Sequence, residues 1–344
     1  MYLQALSEGS CICMQRQLTF GGGVSPRGTL LRGQGIIEYV LIIAVIGLVI
    51  VFAGPGVAGA IRNQFNLVGN TLNSGTNGGT EGGGASGGGS AGADSATVQA
   101  AIAKDTKDWT LDEQKAVAED IAAKGEASPA YAKAKAAMDT GTKFTMKLTD
   151  GQTLEYRIIG INHDDLAGGS GKAGLTFLTT STGISSRMNA TGTTAGGWEK
   201  SELRAKMNSG EIWNLMPSDF QSKVKAVRKL TNNVGGGDSN KNAAVTATSD
   251  KLFLLSLSEI IPTSHWASWY PWTSAEGGQY EAFKGKVTNN SSGNDCLKFG
   301  DYWWERSVGP NASTDFLFVY SDGDPSHSSI DAANSNCVCP AWCF

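Results

Sequence analysis

The chain has 344 residues and a formal net charge of −4, with 28 Lys and Arg against 32 Asp and Glu. That length holds one large or two ordinary domains with a full core, and the mildly acidic balance without a basic stripe argues against a nucleic-acid partner. Six cysteines fall in two groups, Cys11 and Cys13 near the start and Cys296, Cys337, Cys339 and Cys343 near the end, which suits an exported, disulfide-forming chain better than a reduced cytosolic one.

The first predicted element is apolar from Ile36 to Gly54, broken only by Glu38 and Tyr39. As a helix it spans roughly 28 Å, close to the hydrocarbon thickness of a bilayer. Arg16, Arg27 and Arg32 lie upstream with no acid after Glu8, so this flank stays cytoplasmic and the rest faces outward. A carboxylate inside such a span is costly unless paired. A Gly33-Gln34 bond precedes the run, and Glu38 is the fifth residue counted from Gln34.

The stretch RGQGIIEYVLIIA resembles the prepilin signal of type IV pilins, in particular the Flp (Tad-type) subfamily. The resemblance continues through GPGVAGAIRNQFNLVGNTL, to about residue 72. It implies a leader over 1–33, cleaved between Gly33 and Gln34 by a prepilin peptidase. It also implies a pilin helix over 34–72 that sits in the cytoplasmic membrane before assembly and then joins other pilin subunits in an extracellular filament. Glu38 and Tyr39 are then assembly residues. The new positive terminus on Gln34 pairs with Glu38 of a neighbour, and a wrong register would leave an uncompensated charge costing several kcal/mol. Flp pilins are usually very short; this chain carries a large extension, which leaves a shaft or a tip position open. Met14 is an alternative start that would remove Cys11 and Cys13. The competing reading is a signal-anchored cell-surface binding protein that stays uncut and never polymerises.

Residues 73–95, NSGTNGGTEGGGASGGGSAGADS, have almost no apolar content and read as a flexible linker with a reach of about 25 Å. Residues 96–141 turn to Ala, Lys, Asp and Glu and predict a short helical stalk packed on the domain that begins at residue 142. Ser95 or Thr97 caps its first helix, Thr110 with Glu113 forms a capping box, and Pro129 begins another turn. Its apolar stripe, Ala116 and Ile121 among alanines, is thin.

From residue 142 the pattern predicts an α+β domain. Phe144, Met146 and Leu148 alternate, then Leu154, Tyr156 and Ile158, around Asp150-Gly151, which is a hairpin signal. AGLTFLTTS (173–181) predicts a strand, and Leu203 with Met207 a helix. In PSDFQSKVKAVRKL, Ser218 reads as an N-cap, with Phe220, Val224 and Val227 on one helix face. KLFLLSLSEI (251–260) predicts a buried strand, and FLFVY a short strand inside a polar run. Trp266, Trp269 and Trp272 crowd together, and no βαβ rhythm appears.

Residues 142–344 resemble a bacterial domain family of C-type-lectin-like architecture. The residues that carry this are Trp198, Ser201, Leu203, Arg204 and Asn208, then FLLS at 253–256, Trp303, Trp304, Arg306 and Ser307, and the terminal Pro340-Ala341-Trp342. Cys339 stands where members have arginine, and Glu305 where they have leucine. The resemblance implies a scaffold that presents a variable loop surface, with Trp198, Trp303, Trp304 and Arg306 in the scaffold. It names no substrate.

Motifs for catalysis are weak. GGSGKAG (168–174) departs from a phosphate loop at Leu166 and Ala173 and reads as a loop, and there is no G-x-S-x-G elbow. His163, His265 and His327 are scattered and read as structural, so the chain reads as a non-enzyme without a cofactor. Calcium-type lectin triplets are missing; Asp322 and Asp324 in SDGDPS would be the weak calcium candidates, against the plainer reading of a polar turn. The spacing of the last cysteines is wrong for zinc knuckles, and Cys296 is expected to pair with Cys337, Cys339 or Cys343.

The run from Asn311 to Asn336 is rich in Asn, Ser, Asp, Tyr and His. Such residues give adaptable contacts at low entropic cost. The candidate ligand surface comprises Asn311, Ser313, Asp315, Tyr320, Asp322, Asp324, His327, Ser329, Asp331, Asn334 and Asn336, facing an extracellular protein or glycan. Lectin-like domains of this kind are targets of diversity-generating retroelements, so the resemblance also implies a hypervariable C-terminal loop.

Overall fold

The computed structural model describes residues 95–344 apart from 234–243, 263, 265–270, 291, 310–311 and 326–327. The leader, the pilin helix with Gly33, Gln34, Glu38 and Tyr39, and the linker up to residue 94 lie outside the described residues. So do Asn311, His265, His327, Trp266 and Trp269. The described residues fall in one compact unit, Ser90–Phe344. No helix among them is long and apolar enough to cross a membrane.

Three helices come first: α1 (Ala96–Ala103), α2 (Leu111–Lys124) and α3 (Tyr131–Thr140). Ser95 caps α1 by accepting from the Val98 amide. The Thr110/Glu113 capping box opens α2. Gly125 (φ 58°) and Gly141 (φ 68°) stop α2 and α3 in conformations that other residues resist. The stripe is thin in sequence because it is mostly alanine, and small residues let the helices approach closely. A Cβ on Gly174 would stand 1.8 Å from the Ala118 carbonyl oxygen of α2. Gln114 Oε1 accepts from the Tyr156 hydroxyl at 3.1 Å. The segment read as a stalk is thus a layer that shares its core with the sheet behind it.

That sheet has the order β1-β2-β3-β11, built from β1 (Lys143–Lys147), β2 (Thr153–Ile161), β3 (Leu175–Thr179) and β11 (Ala341–Cys343). The β1–β2 hairpin forms around Asp150-Gly151, with Gly151 at φ 88°. The chain's end closes the sheet: Trp342 on β11 packs face to face on Phe177 at 5.8 Å and edge-on to Tyr156 at 4.8 Å. A second sheet, of five strands, has the order β4-β10-β7-β8-β9. It comprises β4 (Ser185–Arg187), β7 (Trp303–Val308), β8 (Asp315–Val319), β9 (Ser329–Asp331) and β10 (Ser335–Cys337), with only β7 and β10 parallel. β5 (Val227–Asn232) and β6 (Val245–Asp250) pair separately.

Short helices join these sheets: α4 (Gly197–Lys200), α5 (Glu202–Asn208), α6 (Glu211–Leu215), α7 (Ser218–Gln221) and α8 (Leu257–Ile260). Two expectations fail here. The helix through Val227 stops at Gln221: Ser218 lies inside α7 with Pro217 as its N-cap, and Val227 opens β5. FLLS makes a single bridge, Phe253 to Ala341, instead of a strand, because Ser256 and Glu259 form a capping box that starts α8. The run is fully buried on every side, and periodicity cannot separate such a strand from a buried turn into a helix.

Candidate functional site

The W-x-x-S-x-L-R-x-x-x-N motif resolves into contacts inside the fold. Trp198 Nε1 and Arg204 Nε donate to opposite oxygens of the buried Asp250, at 2.9 and 2.6 Å. Ser201 caps α5, and Asn208 donates to the Leu252 carbonyl at 2.9 Å while accepting from the Lys251 amide at 2.7 Å. Trp303 and Trp304 are buried, the second donating to the Ser186 carbonyl at 2.9 Å.

Arg306 is the hub. Completely buried, it donates to the carbonyls of Leu254 (2.8 Å), Glu276 (2.7 Å) and Leu230 (3.2 Å) and pairs with Glu259. Glu259 also pairs with Lys229, which pairs with Asp164 at 2.7 Å and donates to the Tyr280 hydroxyl at 3.1 Å. Burial pushes against the charge on Asp164, but Lys229 and a hydrogen bond from Thr176 outweigh it and hold its carboxyl below the usual range. Glu276 behaves in the opposite way. Burial outweighs Arg306 and the bonds from Ser307 and Asn232, and pushes its carboxyl up to about 7. A pairwise-satisfied network of this kind fixes where β5, α8 and β7 meet.

On this frame β8 and β9 carry the polar run. Asp315 and Asp331 face each other across the two strands, and β9 is the outer strand of its sheet. Like charges directly opposite repel, and each is relieved by local donors. Asp315 accepts from Ser329 Oγ at 3.0 Å and from Thr314; Asp331 accepts from the Ala333 amide at 2.8 Å. The loop 188–196 runs alongside. Asn189 donates to the Ala332 carbonyl, Thr194 to the Ser313 carbonyl, and Gly192 lies so close to Asp331 that a Cβ would approach its carboxylate to 2.4 Å. The structure therefore gathers Ser313, Asp315, Ser329 and Asp331 at one edge and adds a neighbour, Asn189–Ala195, that sequence alone does not single out. The neighbour's composition, MNATGTTAG, is the same small polar mixture.

The other candidates are dispersed. The Tyr320 ring joins Phe318 and the exposed Tyr302 at 4.7 and 5.2 Å, and its hydroxyl bonds Ser328. Asp322 accepts from the Asp324 amide at 3.2 Å, which makes SDGDPS an Asx-type turn pinned by Asn294 to the Gly323 carbonyl. Among the described residues no group of three or more His, Cys, Asp or Glu is placed to hold a metal ion. Asn334 is exposed, and Asn336 is buried on β10 opposite Ser186.

Cys296, Cys337, Cys339 and Cys343 are free thiols, so the disulfide expected for Cys296 is not made. Three of them have contacts of their own: Cys343 on β11 near Thr176 and Asp164, Cys337 at the end of β10 near the Thr182 carbonyl, and Cys296 in a turn near Arg157. Burial pushes the Cys339 and Cys343 thiols well above their ordinary range. His163 stacks on Tyr280 at 4.0 Å and bonds Glu281 at 3.2 Å, and GGSGKAG is a loop closed by an Asp165–Lys172 bridge. His163, Asp165, Lys172 and Glu281, together with Arg228, Lys229 and Glu276, line a polar cleft of about 400 Å³. Asn162, also on its wall, takes φ 50°, a conformation uncommon outside glycine.

Residues 173–343 match a family model described as a domain of unknown function (DUF6273). No curated protein and no solved structure matches the chain. The matched segment starts just before β3, so β1, β2 and the three helices that complete the first sheet and its cover lie ahead of it.

Proposed function

We propose that the chain is a display protein: a subunit of a Tad-like type IV pilus that carries a C-type-lectin-like binding domain beyond a glycine-rich spacer. The observation that carries the binding role is the edge where Ser313, Asp315, Ser329 and Asp331 meet the loop 188–196. Short polar side chains from two segments far apart in sequence are brought together there, on strands anchored by Arg306 and the two tryptophans. A rigid sheet that presents adaptable polar loops is how binding surfaces are commonly built. The filament role rests on RGQGIIEYVLIIA, where Gly33 supplies the cleavage point and Glu38 a carboxylate that only a partner charge makes tolerable. The ligand is an extracellular protein or glycan, and the edge is the surface along which variation would alter specificity.

Glu38→Ala separates assembly from processing. The variant should still be cleaved after Gly33 yet be lost from the sheared filament fraction, read by immunoblot against the whole-cell level. Filaments containing the variant at the parental level would refute the assembly role.

A further inference from the structure

Arg157, on β2, is only 7% exposed, yet it has no carboxylate partner among the described residues. Its Nη2 donates to the Cys296 carbonyl at 2.7 Å, and the Phe283 ring lies 5.7 Å from the guanidinium carbon. Its Nε meets no acceptor. The nearest acid on the same strand face, Glu155, is taken by Lys143 and by the Thr180 hydroxyl. Lys143 itself stands directly opposite Arg157 in the β1–β2 register, so two positive charges face each other across the strands. Arginine does not shed its proton to escape such a place, and a buried charge without a partner is strongly unfavourable.

Beside Arg157 lies a cavity of about 480 Å³, lined also by Gly141, Lys143, Lys286 and Cys296. Its two acids, Asp139 and Asp295, are each paired with a lysine outside the lining, Lys135 and Lys298. Gly141 keeps the guanidinium end clear: a Cβ there would come within 3.3 Å of Nη1. Lys286 reaches across the mouth to the Asp139 carbonyl at 2.9 Å. We propose that this cavity binds an oxyanion, the carboxylate or the phosphate or sulfate group of a small ligand, with Arg157 at its floor and Lys143 and Lys286 at its rim. The planar guanidinium fork suits paired acceptor oxygens, and the lysines add charge without directional demand. The site belongs to the described domain and does not rest on the filament reading.

The test is thermal unfolding of the full chain in detergent at constant ionic strength, with sodium chloride replaced stepwise by sodium phosphate, sulfate or acetate. A saturable rise in Tm with at least one of these anions is expected. Arg157→Met should abolish it, and Lys286→Ala should move the half-saturating concentration several-fold higher, each rise being read against the variant's own Tm in chloride. A response to acetate alone assigns a carboxylate, and a response to phosphate or sulfate assigns a tetrahedral anion. No saturable rise with any of the three overturns the proposal. So does an identical rise in Arg157→Met, or, should that variant fail to fold, an unchanged half-saturation in Lys286→Ala.

Discussion

Replacing Arg306 with methionine should lower stability by about 3–5 kcal/mol, the usual consequence of removing one partner of a buried ion pair. The loss follows from what the side chain holds. Without it Glu259 keeps, among the described residues, only Lys229 as a counter-charge, and the carbonyls of Leu254, Leu230 and Glu276 lose their buried donor. A domain with a total stability of roughly 5–15 kcal/mol is brought near its limit by such a change. The urea midpoint of the purified protein should fall sharply, or folded protein should not be recovered. Arg306→Lys should rescue little, because an ammonium group cannot reach acceptors spread around a planar fork. A midpoint unchanged in the methionine variant would show that the network is not what joins β5, α8 and β7.

Glu305→Leu should act in the opposite direction. Glu305 is fully buried, and neither of its carboxylate oxygens meets a donor among the described residues. Burial, reinforced by Glu276, pushes its carboxyl well above the ordinary range against the opposing pull of Arg306. The native chain thus keeps protons on Glu305 and Glu276 that the unfolded chain releases above a pKa of about 4.5. Where the native state binds more protons, stability falls as pH rises. For Glu276 this window runs from about 4.5 to about 7, and Glu305 extends it upward. Below it the sign reverses, since Asp164 and Glu281 are held low and their contribution is lost on acidification. The Tm should therefore drop between pH 5 and pH 8. Leucine at 305 should flatten the decline and raise stability by about 1–3 kcal/mol, the penalty of an unsatisfied buried polar group. In a domain of this size each kcal/mol shifts Tm by roughly 2–4 °C. Equal or lower stability at pH 8 in the variant would contradict this role of Glu305.

Local chemistry was readable from sequence where the signal was local. Thr110 with Glu113 and Asp150-Gly151 each announce a structure completed within a few residues, and both form as the spacing predicts. The same rule explains the failure at residues 253–260. Ser256 and Glu259 have capping-box spacing, but the apolar run before them has no polar punctuation and reads as a strand. Val227 fails for a related reason: valine three residues after Val224 fits a helix face, yet pairing with Asp250 places it in a strand. The ionic hub was out of reach because Asp164, Lys229, Glu259 and Arg306 are widely separated in the chain, and nothing in their local sequence marks burial. Composition singled out the polar run from Asn311 to Asn336, but not the 188–196 loop beside its described part, whose approach depends on long-range pairing. Arg157 sits in an ordinary strand alternation, and the allocation of Glu155 to Lys143 leaves it without a carboxylate partner among the described residues.

If the apolar segment is a pilin signal, as the display role requires, the chain is cut after Gly33, and that processing is the most direct test. Mass spectrometry of the N-terminal peptide, taken from chain recovered in surface filaments and in membranes, reads the outcome. A mature chain beginning at Gln34 is the predicted result. A chain that retains the residues up to Gly33 in both fractions would contradict it and leave a membrane-anchored binding domain in its place.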